Sequence, residues 1–134
     1  RGLGDVYKRQ TKGILEKVKT HAGDVDFEVQ PELLSLFSNR DFGRYAGEKG
    51  EMNVCFISNN DITGGNSGSA MFNARGELLG LAFDGNWEAM SSDILYEPKM
   101  QRCIGVDVRY ILFMIEKYGK AGDLIRELKI VSGK

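Results

Sequence analysis

Residues 63–69 read Thr-Gly-Gly-Asn-Ser-Gly-Ser, and this stretch decides how the rest of the chain is interpreted. Its glycines permit backbone angles that other residues avoid, so Ser67 is predicted to lie on a tight, exposed turn. A serine hydroxyl is a weak nucleophile near neutral pH, and it needs a base and backbone N–H groups that stabilise the oxyanion. The stretch therefore predicts an acyl-transfer site, with Ser67 as nucleophile and the N–H groups of Gly65 and Ser67 as oxyanion donors.

Two other interpretations of this stretch, a flexible linker and a phosphate-binding loop, agree less well with its surroundings. Apolar residues predict strands on both sides, at residues 54–57 upstream and at residues 70–72 and 78–83 downstream, the last two joined by the turn 73–76. A linker would not be bounded so closely by strands. A phosphate-binding loop needs a lysine after its last glycine and an amphipathic helix behind it, and the sequence has neither there.

Four motifs, in order along the chain, resemble the C-terminal part of the bacterial dipeptidyl-peptidases 7 and 11. They are DFGRYA at 41–46, NNDITGGNSGS at 59–69, GLAFDGNWE at 80–88 and VDVRYILF at 106–113, and the similarity extends over roughly residues 12–130. By this resemblance the protein is a chymotrypsin-like serine exopeptidase that removes dipeptides from free N-termini. The resemblance implies a mainly β fold with flanking helices: the second β-barrel of a chymotrypsin-like double barrel, the end of a helical insertion and a C-terminal helix.

The resemblance also implies roles for Asp84 and Gly85, which directly follow a predicted strand. Taken alone, an Asp-Gly pair in this position predicts a hairpin turn. By resemblance, Asp84 holds the α-ammonium group of the substrate and Gly85 lies beside the specificity pocket. Relatives that cleave after Asp or Glu have an arginine in place of this glycine. Gly85 therefore favours the dipeptidyl-peptidase 7 type, with an apolar residue at the second substrate position.

The chain is not expected to supply the catalytic partners of Ser67. In a chymotrypsin-like chain His and Asp lie on the first barrel, and the segment between His21 and Ser67 is too short for the rest of that barrel. His21 is thus predicted to be a solvated loop residue, the catalytic His and Asp are expected upstream of residue 1, and the chain is expected to be inactive alone. Cys55 and Cys103 are predicted to be small core residues, with a disulfide left open, and neither a metal site nor a cofactor is expected.

Composition and charge fit a piece of a larger globular protein. The chain has 134 residues, 42% of them hydrophobic, and a formal net charge of −1. Its scattered Lys and Arg residues provide no basic patch for nucleic acid, and no apolar run is long enough to span a membrane. The expected partners are peptide substrates and the missing N-terminal barrel and helical domain of the same chain. The sequence leaves the oligomeric state, a homodimer included, undecided.

The chain is predicted to consist of three segments. Residues 1–10 do not join convincingly to the segment after them and are interpreted as a non-native leader. Residues 11–45 carry two helical patterns, the second beginning at Pro31, and are predicted to be the end of the helical domain and the connection from it. Residues 46–134 are predicted to be the C-terminal half-barrel, which contains the nucleophile, and a terminal helix.

The terminal helix has clear signals at both ends. Asp107 is placed to cap its start and Gly119 to end it. Residues at helical spacing predict one apolar face, made of Tyr110, Ile111, Met114, Ile115 and Tyr118.

These features favour the C-terminal part of a serine dipeptidyl-peptidase, which the resemblance places in the periplasm or at the cell surface of a Gram-negative bacterium. The alternative, from another class, is a catalytically silent peptide-binding module that keeps the protease-like barrel and cleft without a working triad. The upstream sequence discriminates between them, since a His and an Asp before the helical insertion would favour the enzyme.

Overall fold

The computed structural model describes residues 8–91, 97 and 99–131, which form a five-stranded sheet and the helices that lie before and after it in the sequence. The strands are β1 (Lys8–Gln10), β2 (Asn53–Ser58), β3 (Ala70–Phe72), β4 (Leu78–Gly85) and β5 (Cys103–Asp107). The helices are α1 (Thr11–Thr20), α2 (Pro31–Ser38), α3 (Val108–Phe113) and α4 (Gly122–Arg126). A π-helical stretch at Met114–Tyr118 continues α3, and short 3₁₀ turns occur at Val25–Phe27, Gly43–Tyr45, Glu48–Gly50 and Trp87–Ser91.

The sheet has the strand order β1-β2-β5-β4-β3. The pairs β2 with β5, β5 with β4 and β4 with β3 are all antiparallel. The turn 73–76 joins β3 to β4 as predicted, with Gly76 in the left-handed region at a φ of 74°. The mainly β fold with flanking helices is thus confirmed. Over the described residues the sheet is open, and the closed double barrel stays a prediction.

The predicted leader partly overlaps this sheet. Lys8–Gln10 form β1, an edge strand next to β2, so the sheet includes the last three of the ten residues interpreted as a leader. The other seven lie outside the described residues. The segment between β4 and β5 likewise lies only partly within the described residues, and it begins with the 3₁₀ turn Trp87–Ser91.

Gly80 lies in β4 where the strand leaves no room for a side chain. A Cβ built on it would lie 1.9 Å from the carbonyl oxygen of Val106 and 2.8 Å from Cε1 of Phe56. Because the first of these atoms belongs to the backbone of the paired strand β5, the clash cannot be relieved by a rotamer change.

We therefore expect Gly80→Ala to lower the free energy of unfolding by about 1–3 kcal/mol or more, measured by urea denaturation. The control is Gly13→Ala in α1, where an added Cβ meets nothing within 4 Å. That substitution should stabilise the chain by about 0.5–1 kcal/mol, because alanine favours the helix. An unchanged urea midpoint for Gly80→Ala would contradict the close approach of β4 to β5.

The chain divides into two compact units, one formed by residues 1–9 and 54–108 and the other by residues 10–53 and 109–134. The first contains most of the sheet, with Met71, Ala82 and Cys103 buried at its centre. This division groups the terminal helix with α1 and α2 and not, as the predicted segments do, with the strands.

The second unit is organised around aromatic side chains, which explains why it includes the terminal helix. The ring of Phe113 lies 6.1 Å from that of Phe37 and 5.9 Å from that of Phe42, measured between centroids, and all three side chains are buried. Ile14 and Leu15 of α1 pack against this aromatic core. The helical patterns that predicted α1 and α2 are therefore confirmed, and α2 begins at the proline that signals it.

The terminal helix ends at Gly119 as predicted, but its buried face differs from the predicted one. Phe113 is its most buried residue and was absent from the predicted face, although Tyr110 and Met114 do pack against the same core. Tyr110, Phe113 and Met114 have the i, i+3, i+4 spacing of a regular helix face, so the buried face is centred on Phe113 and the predicted face was rotated away from it.

A polar cluster joins the π-helical stretch to the turn Gly43–Tyr45. The hydroxyl of Tyr45 donates a hydrogen bond to Glu116, and Nη2 of Arg44 lies 2.9 Å from Oε1 of the same carboxylate. The hydrogen bond from Tyr45, together with the charge of Arg44, lowers the pKa of the Glu116 carboxyl.

Neither cysteine forms a disulfide within the part of the chain that the structure describes. Cys103 is buried, as expected for a core residue, and burial raises the pKa of its thiol, while Cys55 is only half-buried. On the paired strands Cys55 lies opposite Val106 and Cys103 opposite Ser58, so the two thiols are not in register for a disulfide.

Candidate active site

The turn formed by residues 63–69 is held together by Asn66. Oδ1 of Asn66 accepts a hydrogen bond from the N–H of Thr63 at 2.9 Å, and the N–H of Asn66 donates to the carbonyl of Thr63 at 3.2 Å. The N–H of Ser69 donates to the carbonyl of Asn66 at 2.9 Å. Gly65 and Gly68 have φ angles of 92° and 88°, which confirms that the turn needs glycine at these two positions.

The backbone N–H groups of Gly65 and Ser67 donate no hydrogen bond within the part of the chain that the structure describes, and neither does that of Gly64 beside them. The N–H groups that alternate with them are engaged, since Asn66 donates to Thr63 and Gly68 donates to the carbonyl of Ala82 at 2.7 Å. Both residues are exposed. Two open donors, one on the candidate nucleophile and one two residues before it, are what an oxyanion hole requires.

Ser67 is connected to β4 through its side chain. Its exposed hydroxyl donates a hydrogen bond of 3.4 Å to the carbonyl of Phe83, and this is the hydroxyl's one hydrogen bond among the described residues. The register of β4 against β5 shifts between Ala82 and Asp84, which makes Phe83 the extra residue of a β-bulge. Through this hydrogen bond the Ser67 hydroxyl contacts Phe83, the residue that directly precedes Asp84.

Asp84 presents an exposed carboxylate at this end of β4. Its Oδ1 accepts a hydrogen bond of 2.8 Å from the N–H of Gly85. Oδ2 makes no hydrogen bond to any described residue. The structure therefore brings Ser67, Gly65 and Asp84 to the same end of the sheet.

Gly85 is half-buried and its surroundings are apolar. A Cβ built on it would lie 2.8 Å from Cβ of Ala89 and 3.5 Å from Cγ2 of Ile62. Its φ lies outside the left-handed region, so a larger residue would be limited by the contact with Ala89 and not by the backbone.

His21 is exposed at the end of α1, and its contacts are local, as expected for a solvated residue. Its Nδ1 lies 2.9 Å from Oγ1 of Thr20 and 3.2 Å from the carbonyl oxygen of Lys17. The imidazole stacks on Phe27 with centroids 4.1 Å apart. None of these contacts resembles the pairing of a catalytic base with a serine hydroxyl.

Three residues of the site were not singled out by sequence reasoning. Asn66 fixes the turn, Asn86 connects β4 to β5, and Ala89 bounds the space beside Gly85. The known preference of asparagine for turns that use its side chain as a hydrogen-bonding group is the signal that would have drawn attention to Asn66.

The described residues contain neither a cluster of metal ligands nor a membrane-spanning helix. They contain no group of three or more His, Cys, Asp or Glu side chains that would hold a metal ion. Within the same residues, no helix has the length and apolar character of a membrane span.

A serine, two open N–H groups and a carboxylate lie at one end of the antiparallel sheet, and the chain belongs to the Peptidase S46 family, whose sequence profile matches residues 4–130. It is similar to dipeptidyl-peptidase 7 of Porphyromonas endodontalis, with 55% identity over 127 residues, covering 95% of this chain and 15% of that protein. An Asp/Glu-specific dipeptidyl-peptidase of Capnocytophaga gingivalis is 48% identical over 119 residues, covering 89% of this chain and 16% of that protein.

A solved structure shows the same likeness. The crystal structure of Porphyromonas endodontalis DPP11 in complex with the dipeptide Arg-Glu superimposes with a TM-score of 0.85 and 43% identity, covering 90% of this chain and 17% of that one. The resemblance to dipeptidyl-peptidases 7 and 11 is thereby confirmed. The chain spans 15–17% of the length of these three relatives.

Proposed function

We propose that this chain is the C-terminal part of a serine dipeptidyl-peptidase that releases dipeptides from free N-termini, with Ser67 as the nucleophile. The observation that carries the proposal is the exposed Ser67 beside two open N–H groups, its own and that of Gly65. The names of the relatives, which are dipeptidyl-peptidases, support it. We also propose that residues 11–45 end a helical insertion and that residues 46–134 complete a double barrel.

The proposed reaction begins with attack of Ser67 Oγ on the carbonyl carbon of the second substrate residue. The hydroxyl proton goes to a general base, and the negative charge that develops on the carbonyl oxygen is stabilised by the N–H groups of Gly65 and Ser67. Collapse of this intermediate expels the amine of the remaining peptide and leaves the dipeptide as an ester on Ser67. Water then hydrolyses the ester and releases the dipeptide.

The general base is proposed to come from another part of the complete polypeptide. Among the described residues the hydroxyl of Ser67 contacts only the carbonyl oxygen of Phe83, which is far too weak a base to take its proton. His21, the one histidine of the chain, makes its contacts with Thr20, Lys17 and Phe27 instead. We accordingly expect this chain to be inactive without the remainder of the protein.

Asp84 is proposed to hold the α-ammonium group of the substrate. An exposed carboxylate one residue from the carbonyl that contacts Ser67 is suited to an ammonium ion at a short, fixed distance from the nucleophile. Such a contact favours peptides whose second residue reaches Ser67 when the amine reaches Asp84. Cleavage after two residues is the consequence of that geometry.

Gly85 is proposed to line the pocket for the second substrate residue. The side chains beside it, Ala89 and Ile62, are apolar, so a Leu or Phe side chain would be accommodated, and a carboxylate would lose water without gaining a partner. An apolar preference is therefore expected.

We expect Gly85→Arg to introduce a preference for Asp and Glu, provided that the contact with Ala89 is also relieved. The single variant places its Cβ 2.8 Å from that of Ala89 and should fold poorly. In the double variant Gly85→Arg/Ala89→Gly, the guanidinium can pair with a substrate carboxylate and exclude a large apolar group. The measurement is kcat/KM of the complete polypeptide for dipeptidyl substrates that end in Leu, Phe, Asp or Glu.

The control for this prediction is Ala89→Gly alone, which should retain the apolar preference. If a folded double variant still prefers Leu or Phe over Asp and Glu by the wild-type ratio of kcat/KM, Gly85 does not line the pocket.

Turnover by the complete polypeptide tests the proposed function. A peptide with a free N-terminus should lose successive dipeptides, detected by mass spectrometry, whereas its N-acetylated form should remain intact. Binding of the free peptide without release of dipeptides would favour the silent peptide-binding module. Release of dipeptides from a periplasmic or cell-surface fraction, the location that we propose, would place the activity where the family resemblance predicts.

A further inference from the structure

Asn86, which directly follows β4, makes hydrogen bonds through both its side chain and its backbone. Its Oδ1 accepts a bond of 2.8 Å from the N–H of Arg102, and its Nδ2 donates to the carbonyl of Met100 at 2.8 Å and to Oε2 of Glu88 at 2.7 Å. Its backbone N–H donates to the carbonyl of Arg102 at 2.9 Å, and its carbonyl accepts from the N–H of Ala89 at 2.9 Å. One half-buried side chain thus ties together the end of β4, the approach to β5 and the turn Trp87–Ser91.

These bonds fix the place of Ala89 relative to Gly85. Ala89 lies on the 3₁₀ turn, and the hydrogen bond from its N–H to Asn86 anchors that turn directly after β4. The two side-chain bonds to the backbone at Met100 and Arg102 hold Asn86 itself against the neighbouring segment. Side-chain bonds to backbone groups can replace regular pairing where a strand ends, so loss of this side chain would release the turn.

We propose that Asn86 is a positioning residue that sets the size of the substrate pocket beside Gly85. The inference rests on the proposed function, because it assumes that this pocket receives the second substrate residue. Ala89 Cβ and Ile62 Cγ2 lie at van der Waals distance or closer from the place of a Cβ on Gly85. The pocket therefore takes apolar side chains, and the position of Ala89, which Asn86 holds, decides how large they are.

Asn73 provides a matched control at the opposite end of the same strand. Its Oδ1 accepts hydrogen bonds from the N–H groups of Arg75 and Glu77 at 2.9 and 3.0 Å, and its N–H donates to the carbonyl of Glu77 at 3.0 Å. It is also half-buried, and it holds the hairpin that precedes β4. Replacing it removes a comparable set of bonds without altering the pocket.

The experiment compares Asn86→Ala with Asn73→Ala in the complete polypeptide, using dipeptidyl substrates that end in Leu or Ala. Rates are divided by the fraction of protein whose Ser67 reacts with a fluorophosphonate, so that misfolded molecules do not count. We expect Asn86→Ala to lower the Leu-to-Ala ratio of kcat/KM about tenfold, through KM, whereas Asn73→Ala changes it less than about twofold. If Asn86→Ala gives no reactive protein, the same Leu-to-Ala ratio is measured for Asn86→Asp. Aspartate has nearly the same shape as asparagine but lacks the amide group that donates hydrogen bonds to Met100 and Glu88.

The inference would be overturned if the reactive Asn86 variant kept the wild-type Leu-to-Ala ratio of kcat/KM. It would also be overturned if Asn73→Ala changed this ratio as much as the Asn86 variant does. Failure of the proposed function is a different result. In that case the wild-type protein itself would neither react at Ser67 nor release dipeptides.

Discussion

Replacing Ser67 by alanine in the complete polypeptide is expected to lower kcat for dipeptidyl substrates by about 10⁴-fold or more, because the proposed nucleophile is removed. KM should change little, since Asp84 and the pocket at Gly85 would still bind the substrate. Thermal unfolding should also be unchanged, as the side chain is exposed and makes one long hydrogen bond. The measurement is a steady-state assay with a chromogenic dipeptidyl substrate.

Ser69→Ala is the control for this prediction. Ser69 belongs to the same turn and is exposed, but its contacts in the structure are backbone hydrogen bonds to Asn66 and Ala82, which alanine preserves. Its kcat should remain within about twofold of the wild type. A Ser67→Ala protein that retains more than a small fraction of wild-type turnover would exclude Ser67 as the nucleophile.

Replacing Asp84 by alanine is expected to lower kcat/KM for substrates with a free amine by about 2–5 kcal/mol, which corresponds to roughly 30-fold to several-thousand-fold. The substrate ammonium would lose its charged partner on entering the site. Asp84→Asn should show most of the same loss, because it keeps an acceptor for the N–H of Gly85 and removes only the charge. The comparison is kcat/KM for a free dipeptidyl substrate and for its N-acylated form.

Asp61 offers the matched control, since its Oδ1 accepts a hydrogen bond of 2.9 Å from the N–H of Ile62, the same local arrangement that Asp84 makes with Gly85. Asp61→Ala should leave kcat/KM nearly unchanged. For Asp84→Ala, an equal loss with the free and the N-acylated substrate, or no loss with either, would limit Asp84 to a structural role at the end of β4, where the structure has a paired strand instead of the hairpin turn that the Asp-Gly pair alone predicts.

Much of the fold could be predicted because its elements have local signals in the sequence. Alternating and continuous apolar runs located β2, β3 and β4, and Pro31 marked the start of α2. The double barrel could not be tested in the same way, because closure of a barrel depends on strands that this sheet does not include among the described residues.

The features that sequence reasoning missed depend on contacts between distant segments. The bulge at Phe83 arises from the register of β4 against β5, and the burial of Phe113 depends on its packing against Phe37 and Phe42. Neither leaves a distinct local pattern.

The candidate site was predictable to a similar extent. Glycines at 65 and 68 indicated the turn and its open N–H groups, because positive φ angles leave a residue-level signal. The roles of Asp84 and Gly85 came from the family resemblance, and a carboxylate followed by glycine would otherwise have indicated only a hairpin turn. Asn86 gave no such signal, since its partners at Met100 and Arg102 are brought to it only by the pairing of β4 with β5.

The most direct measurement is the site of covalent modification by a dipeptidyl phosphonate with a free amine and an apolar second residue. We expect tandem mass spectrometry of the treated complete polypeptide to find the phosphonate on Ser67, with labelling slowed by Asp84→Ala and by acylation of the reagent's amine. Labelling of a different residue, or equally fast labelling with and without the free amine, would contradict the assignment of this chain to the catalytic half of a dipeptidyl-peptidase.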